Sequence, residues 1–144
     1  MSYTYEYPRP AVTADIMLFR RNGDSMSVLL VRRKNPPFKD KWSLPGGFME
    51  MDETLETTAH RELKEETGIE TDHLTPFHVF DQPGRDPRGR TITLVFYAFL
   101  DKQPTDAAAG DDAASLSWFD LQNLPELGFD HSKIISLAVD ELGL

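Results

Sequence analysis

From Ala11 to Phe19 the chain is apolar and β-branched almost without interruption (AVTADIMLF). Ser27 to Arg33 (SVLLVRR) repeats the pattern after an Arg-Asn-Gly-Asp turn signal, so the two segments predict a strand pair. Pro36-Pro37 ends the second strand, and a short extended piece, Trp42 to Leu44, leads into Pro45-Gly46-Gly47. Thr54 to Thr67 predicts a helix: Leu55, Ala59 and Leu63 recur every four residues, and Gly68 supplies the stop. Phe77 to Phe80 and Thr91 to Leu100 read as strands with Pro83 to Gly89 looping between them, and Leu116 to Phe119 as another short strand. Asp130 to Leu142 closes the chain as an amphipathic helix, apolar at Ile134, Ile135, Leu137, Ala138 and Leu142. Strands alternating with two helices predict an α/β (α+β) class, a mixed sheet between helical layers.

Composition narrows the picture. A chain of 144 residues suits one domain, expected to span residues 1–144. No apolar run approaches a membrane span; the longest near-continuous stretch is Leu94 to Leu100. Met1 to Pro10 is aromatic and polar, without the apolar segment of a secretory signal. The absence of cysteine excludes disulfides and thiolate metal sites. A cytoplasmic protein without a membrane partner is the expectation. The formal charge of −9 argues against a nucleic-acid partner, whose backbone is bound by Lys and Arg, but leaves small anionic ligands open. Gln103 to Ser115, rich in Ala and Asp, reads as a surface loop between strands. Tyr3, Tyr5 and Tyr7 alternate like an edge strand, available to pair with a second subunit in a homodimer or to cover a ligand.

The chemistry begins on the first helix. At about 100° per residue, Leu55, Ala59 and Leu63 span roughly 80° of arc, Glu62 and Glu66 fall at its edge and inside it, and Glu65 lies just beyond. Three carboxylates thus converge beside the buried face, while Arg61 and Lys64 point elsewhere around the cylinder. Like charges so spaced cost a few tenths of a kcal/mol per pair, more when partly buried. Either the helix is a solvated Glu-rich face, or a hard divalent cation offsets the repulsion; oxygen-only ligands select Mg²⁺, Mn²⁺ or Ca²⁺. Gly46-Gly47 favours the second reading, because backbone without Cβ can approach a ligand closely. Glu53, just before the helix, can complement the helix dipole or reach the same site.

Gly47, Glu53, Arg61, Glu62, Leu63, Glu65, Glu66, Gly68 and Ile69 match every fixed position of the Nudix signature, and the order of elements around them resembles that family over nearly the whole chain. At ~6% usage per residue type, seven fixed identities at set spacing arise by chance in fewer than roughly one chain in a million. The resemblance implies an α/β/α sandwich around a mixed sheet and a hydrolase of nucleoside diphosphate derivatives. In it Glu62, Glu65 and Glu66, with the Gly47 carbonyl, would hold Mg²⁺ (Mn²⁺ substituting). Arg61 would orient Glu62, and Glu53 would support the helix. Metals in such sites bridge pyrophosphate oxygens and lower the pKa of an attacking water. The general base is left open between a helix Glu and the loop carboxylates Asp111 and Asp112.

Residues outside the signature choose the substrate. Pro83-Gly84-Arg85-Asp86-Pro87-Arg88-Gly89-Arg90 places three arginines in six positions, either a clamp for phosphate groups or a solvated turn. This stretch resembles the PGRDPRG loop of bacterial ADP-ribose pyrophosphatases, including Nudix domains fused to nicotinamide mononucleotide adenylyltransferase. Phe38 to Phe48, Gly110 to Ala114 with Trp118-Phe119, and Leu127 to His131 resemble the same group. The resemblance implies hydrolysis of ADP-ribose to AMP and ribose 5-phosphate, with Arg85, Asp86, Arg88 and Arg90 as substrate contacts. His131 either lines the site or caps the last helix. Two rival readings remain: the same chemistry on an oxidised nucleoside triphosphate or another nucleotide sugar, and a non-catalytic ADP-ribose-binding regulatory module. Regulators that share the loop carry an added winged helix, for which a chain ending at Leu144 is expected to have no room.

Overall fold

Strand β1 (Ala11–Asn22) organises the sheet in the computed structural model, which describes residues 2–101 and 113–144. It runs parallel to β6 (Thr91–Leu100) from Ala11↔Thr91 to Arg20↔Leu100, and β5 (Thr75–Phe80) adds antiparallel beyond β6. On its other edge β1 meets β2 (Ser25–Arg33) only near the turn, from Phe19↔Val28 to Asn22↔Ser25. The two strands then part. There β1 pairs with β4 (Gly46–Phe48) at Thr13 to Asp15, while β2 pairs with β3 (Trp42–Ser43) at Val31 and Arg32. β7 (Ala113–Asp120) covers the outer edge of β2, completing a seven-stranded mixed sheet.

Helices α1 (Leu55–Thr67) and α2 (His131–Leu142) cover opposite faces. Ala14, Ile16 and Leu18 of β1 pack in one cluster with Ala59 and Leu63 of α1; Met17 and Phe19 pack in the other with Ile134, Ile135 and Ala138 of α2. A strand buried on both faces needs apolar residues at every position, which is why β1 reads as a continuous run and not an alternation. Each large aliphatic buried here contributes about 1.5–3 kcal/mol. Thr54 caps α1 by accepting the Thr57 N–H at 3.2 Å. At the other end Gly68 takes φ 76 and donates to the Lys64 carbonyl at 2.8 Å.

The expected α/β/α sandwich of α+β class is what the chain forms, with two differences in detail. Gly46-Gly47, for which no strand is expected, begins β4: glycine has little intrinsic strand preference, and the pairing comes from the edge that β1 offers after β2 diverges. The tyrosine segment is not a strand; Tyr3 and Tyr5 stack on each other at 6.4 Å and Arg9 lies 4.0 Å over the Tyr5 ring. Among the described residues no helix is long and apolar enough to cross a membrane.

Candidate active site

Where β1 and β2 part, a cleft of about 520 Å³ opens, lined by β1, β2, β4, α1, the β5–β6 loop and the start of α2. Its size falls within the range of small-molecule sites. Glu62 and Glu66 line it; Glu65 does not. The three carboxylates expected to converge are thus divided. Glu65 is 56% exposed and accepts from Arg61 at 3.2 Å. Glu62 and Glu66 are neighbours on the cleft wall and interact directly. Burial pushes both above the usual carboxylate range, Glu66 the further of the two, and the neighbouring Glu62 charge adds to the shift on Glu66.

Arg61 is the hub of this face, contrary to the helical-wheel expectation that it points elsewhere. Its Nε and Nη2 hold the two oxygens of Glu53 at 2.6 and 2.9 Å, Nη1 reaches Glu62 at 2.8 Å, and Nη2 also donates to the Phe48 carbonyl at 3.0 Å. The fork explains why the Glu53 carboxyl is held down at about 2, with the Glu50 N–H adding to it. Glu53 therefore acts on Arg61 and does not line the cleft.

Two glycines let backbone press against these acids. A Cβ on Gly47 would collide with the Glu62 carboxylate, and one on Gly46 would fall on the Ala14 carbonyl and the Asp15 side chain. The Gly46 backbone favours the ionised form of Glu66, against the effect of burial. Two partly buried carboxylates side by side against open backbone fit a divalent cation, which would offset their repulsion. Among the described residues no group of three acidic or imidazole side chains could hold a metal by itself. The ion would therefore draw further oxygens from backbone, water and substrate, as Mg²⁺ ordinarily does.

The arginine loop behaves differently from the expected clamp. Arg85, 4% exposed, forms a bidentate pair with Asp130 at 2.9 and 2.7 Å. That pairing takes the Asp130 carboxylate away from the α2 N-terminus, which has no side-chain cap. Arg88 is gripped by Asp86 at 2.8 and 3.1 Å; burial opposes ionisation of Asp86, but the Arg88 hydrogen bonds outweigh it and hold the acid low. The Arg88 guanidinium lies 4.9 Å from the Phe48 ring and 5.6 Å from that of Phe129. Arg85, Asp86 and Arg88 all line the cleft, whereas Arg90 donates to the Asp81 carbonyl at 2.6 Å and lies outside it. Asp111 and Asp112 lie outside the described residues.

Three cleft residues were not anticipated. Arg33 has no carboxylate partner among the described residues; its Nε donates to the Pro37 carbonyl at 2.6 Å and its guanidinium stacks 5.0 Å from Phe129. Burial, then the charge of Arg88, lowers its pKa, so an anion in the cleft would relieve it. The one sequence cue was the Arg32-Arg33-Lys34 triplet at a strand end. Phe129 is held with φ 55, a conformation costing about 1–2 kcal/mol for a residue with a Cβ. Asp15, 8% exposed, accepts the Thr93 hydroxyl at 2.7 Å; an acid inside an apolar strand was its visible signal. His131, 3% exposed, lines the cleft and accepts the Leu44 N–H at 2.9 Å.

This sheet with its flanking helices, and the Glu-rich helix facing a cleft, define a Nudix protein. The chain belongs to that family, its residues 9–138 matching the NUDIX domain. Over 129 residues it is 46% identical to an ADP-ribose pyrophosphatase of Methanocaldococcus jannaschii, covering 90% of this chain and 73% of the relative. The NUDIX domain of Shewanella oneidensis NrtR, solved with ADP ribose, superposes with a TM-score of 0.87 at 30% identity, covering 94% of this chain and 90% of that one. A bifunctional NMN adenylyltransferase/ADP ribose pyrophosphatase of Francisella tularensis, solved with AMP and a manganese ion, gives 0.84 at 35% identity. The match covers 95% of this chain but 43% of the bifunctional enzyme.

Proposed function

We propose that the protein is a Mg²⁺-dependent hydrolase of ADP-ribose that releases AMP and ribose 5-phosphate, with Mn²⁺ able to substitute. The observation that carries the reading is the partly buried Glu62–Glu66 pair sharing one cleft with Arg33, an arginine lacking a carboxylate partner among the described residues. Two neighbouring carboxylates suit a cation, and the nearby guanidinium suits the diphosphate that the cation would bind. The named relatives supply the substrate: an ADP-ribose pyrophosphatase and a Nudix domain in complex with ADP ribose. The net charge of −9 favours a small nucleotide over nucleic acid as partner.

Glu62 and Glu66 would hold the cation, with the Gly47 backbone beside them and Glu65 at the rim. When bound, the metal supplies charge neutralisation on the diphosphate and a more acidic water. Arg61, fixed by the Glu53 fork, sets the direction of the Glu62 carboxylate. Arg33 binds a phosphate oxygen, and Phe129 keeps its guanidinium in place. The Asp86–Arg88 and Arg85–Asp130 pairs shape the wall; Arg88, half in solvent, is the member placed to touch substrate. Removal of the proton from water falls to a helix Glu or to the loop carboxylates Asp111 and Asp112.

The test is AMP release from a panel of nucleoside diphosphate compounds with and without Mg²⁺. ADP-ribose should be preferred over 8-oxo-dGTP, and Glu66→Gln should lower kcat by orders of magnitude with the fold intact. Wild-type turnover in Glu66→Gln at saturating Mg²⁺ would refute the metal assignment. ADP-ribose binding without any turnover would favour the regulatory-module reading.

A further inference from the structure

Asp15 of β1 and His131 at the start of α2 meet in the cleft with a gap between them. His131 accepts the Leu44 N–H through Nδ1, so a neutral ring carries its proton on Nε2. Burial favours that neutral form. Nε2 faces Oδ2 of Asp15 at 4.0 Å, too far for a direct hydrogen bond. Among the described residues the Thr93 hydroxyl is the one hydrogen-bond donor to the Asp15 carboxylate, which keeps acceptor sites open. A buried donor and a buried acceptor thus face one another across a space that both line.

A single oxygen about 2.8 Å from each can bridge them, provided that it accepts from Nε2–H and donates to the carboxylate. An alcohol does both. A phosphate oxygen has no proton to give and would be repelled by Asp15, and an apolar group would leave both partners unsatisfied. We propose that Asp15 and His131 form a hydroxyl-reading pair for a ribose 2- or 3-hydroxyl of the substrate. Resting on the ADP-ribose reading, the proposal makes the enzyme selective for ribo over deoxyribo compounds at the sugar that lies here.

Either sugar of ADP-ribose offers such a hydroxyl, and binding of the two products separates them. Calorimetry in Mg²⁺ compares AMP with 2′- and 3′-deoxy-AMP, and ribose 5-phosphate with its 2- and 3-deoxy forms, on the wild type, Asp15→Asn and Asp15→Val. In one of the two arms the wild type should prefer the ribo form about ten- to hundred-fold, the effect of a hydrogen bond to a charged group. That ratio should fall toward one in both variants, whose folding is checked by thermal unfolding. A merely structural Asp15 would weaken ribo and deoxy forms alike. Wild-type ratios near one in both arms, or a ratio retained in folded variants, would overturn the proposal. ADP-ribose turnover is measured separately: discrimination without turnover would refute the hydrolase reading and leave the hydroxyl site standing.

Discussion

Replacing Gly47 by alanine should separate chemistry from folding. A Cβ there would stand 2.5 and 2.7 Å from the two carboxylate oxygens of Glu62, where ordinary contact begins near 3.4 Å. The obstacle is the end of a flexible side chain, so it can yield, but only by moving off Arg61 at 2.8 Å. The required displacement is about 1 Å, and a misplacement of that size at a reacting centre costs about a hundred-fold in rate. The neighbouring substitution supplies the control. A Cβ on Gly46 would fall on the Ala14 carbonyl and the Asp15 Cα, which belong to the central strand and cannot move aside. Gly46→Ala should therefore destabilise by about 1–3 kcal/mol as an overpacked position. The assays are Mg²⁺-dependent AMP release at saturating ADP-ribose and thermal unfolding in metal-free buffer. Gly47→Ala should keep its Tm within a few degrees and lose kcat. Wild-type kcat in Gly47→Ala, or a Tm loss equal to that of Gly46→Ala, would refute the reasoning.

Arg85→Ala should cost about 3–5 kcal/mol in urea unfolding, because it strands the largely buried Asp130 carboxylate; a loss below ~1 kcal/mol would mean that water replaces the guanidinium. Stability should also depend on His131. Its folded pKa lies below the ordinary value, so the unfolded chain binds the extra proton first as pH falls. The contribution is complete above about pH 6.5 and is lost progressively below it, down to the lower folded pKa. Melting curves from pH 8 to 5 should show a shallower acid loss in His131→Asn than in the wild type, and parallel profiles would contradict the assignment.

Periodicity alone determined the helices and most strands, because a strand buried on two faces and a helix buried on one leave patterns within a few neighbouring residues. The signature spacing likewise announced Glu62 and Glu66 on one helix, and the glycines beside them. What it left open was which charges would find one another. Arg85 meets Asp130 across 45 positions, Thr93 meets Asp15 across 78, and Leu44 meets His131 across 87. Such pairings depend on where β1 and β2 part and on which loops close over the gap. A run of arginines therefore looked like a phosphate clamp, yet folding turned Arg85 inward and Arg90 aside and left Arg33, 52 positions before Arg85, without a carboxylate among the described residues. The same holds for Glu65, identical in type to its neighbours but drawn to Arg61 at the surface. Local pattern dictates backbone conformation because its hydrogen bonds and burial are local. The electrostatics of a cleft are set by side chains that only tertiary packing brings within reach, and so they were decided there.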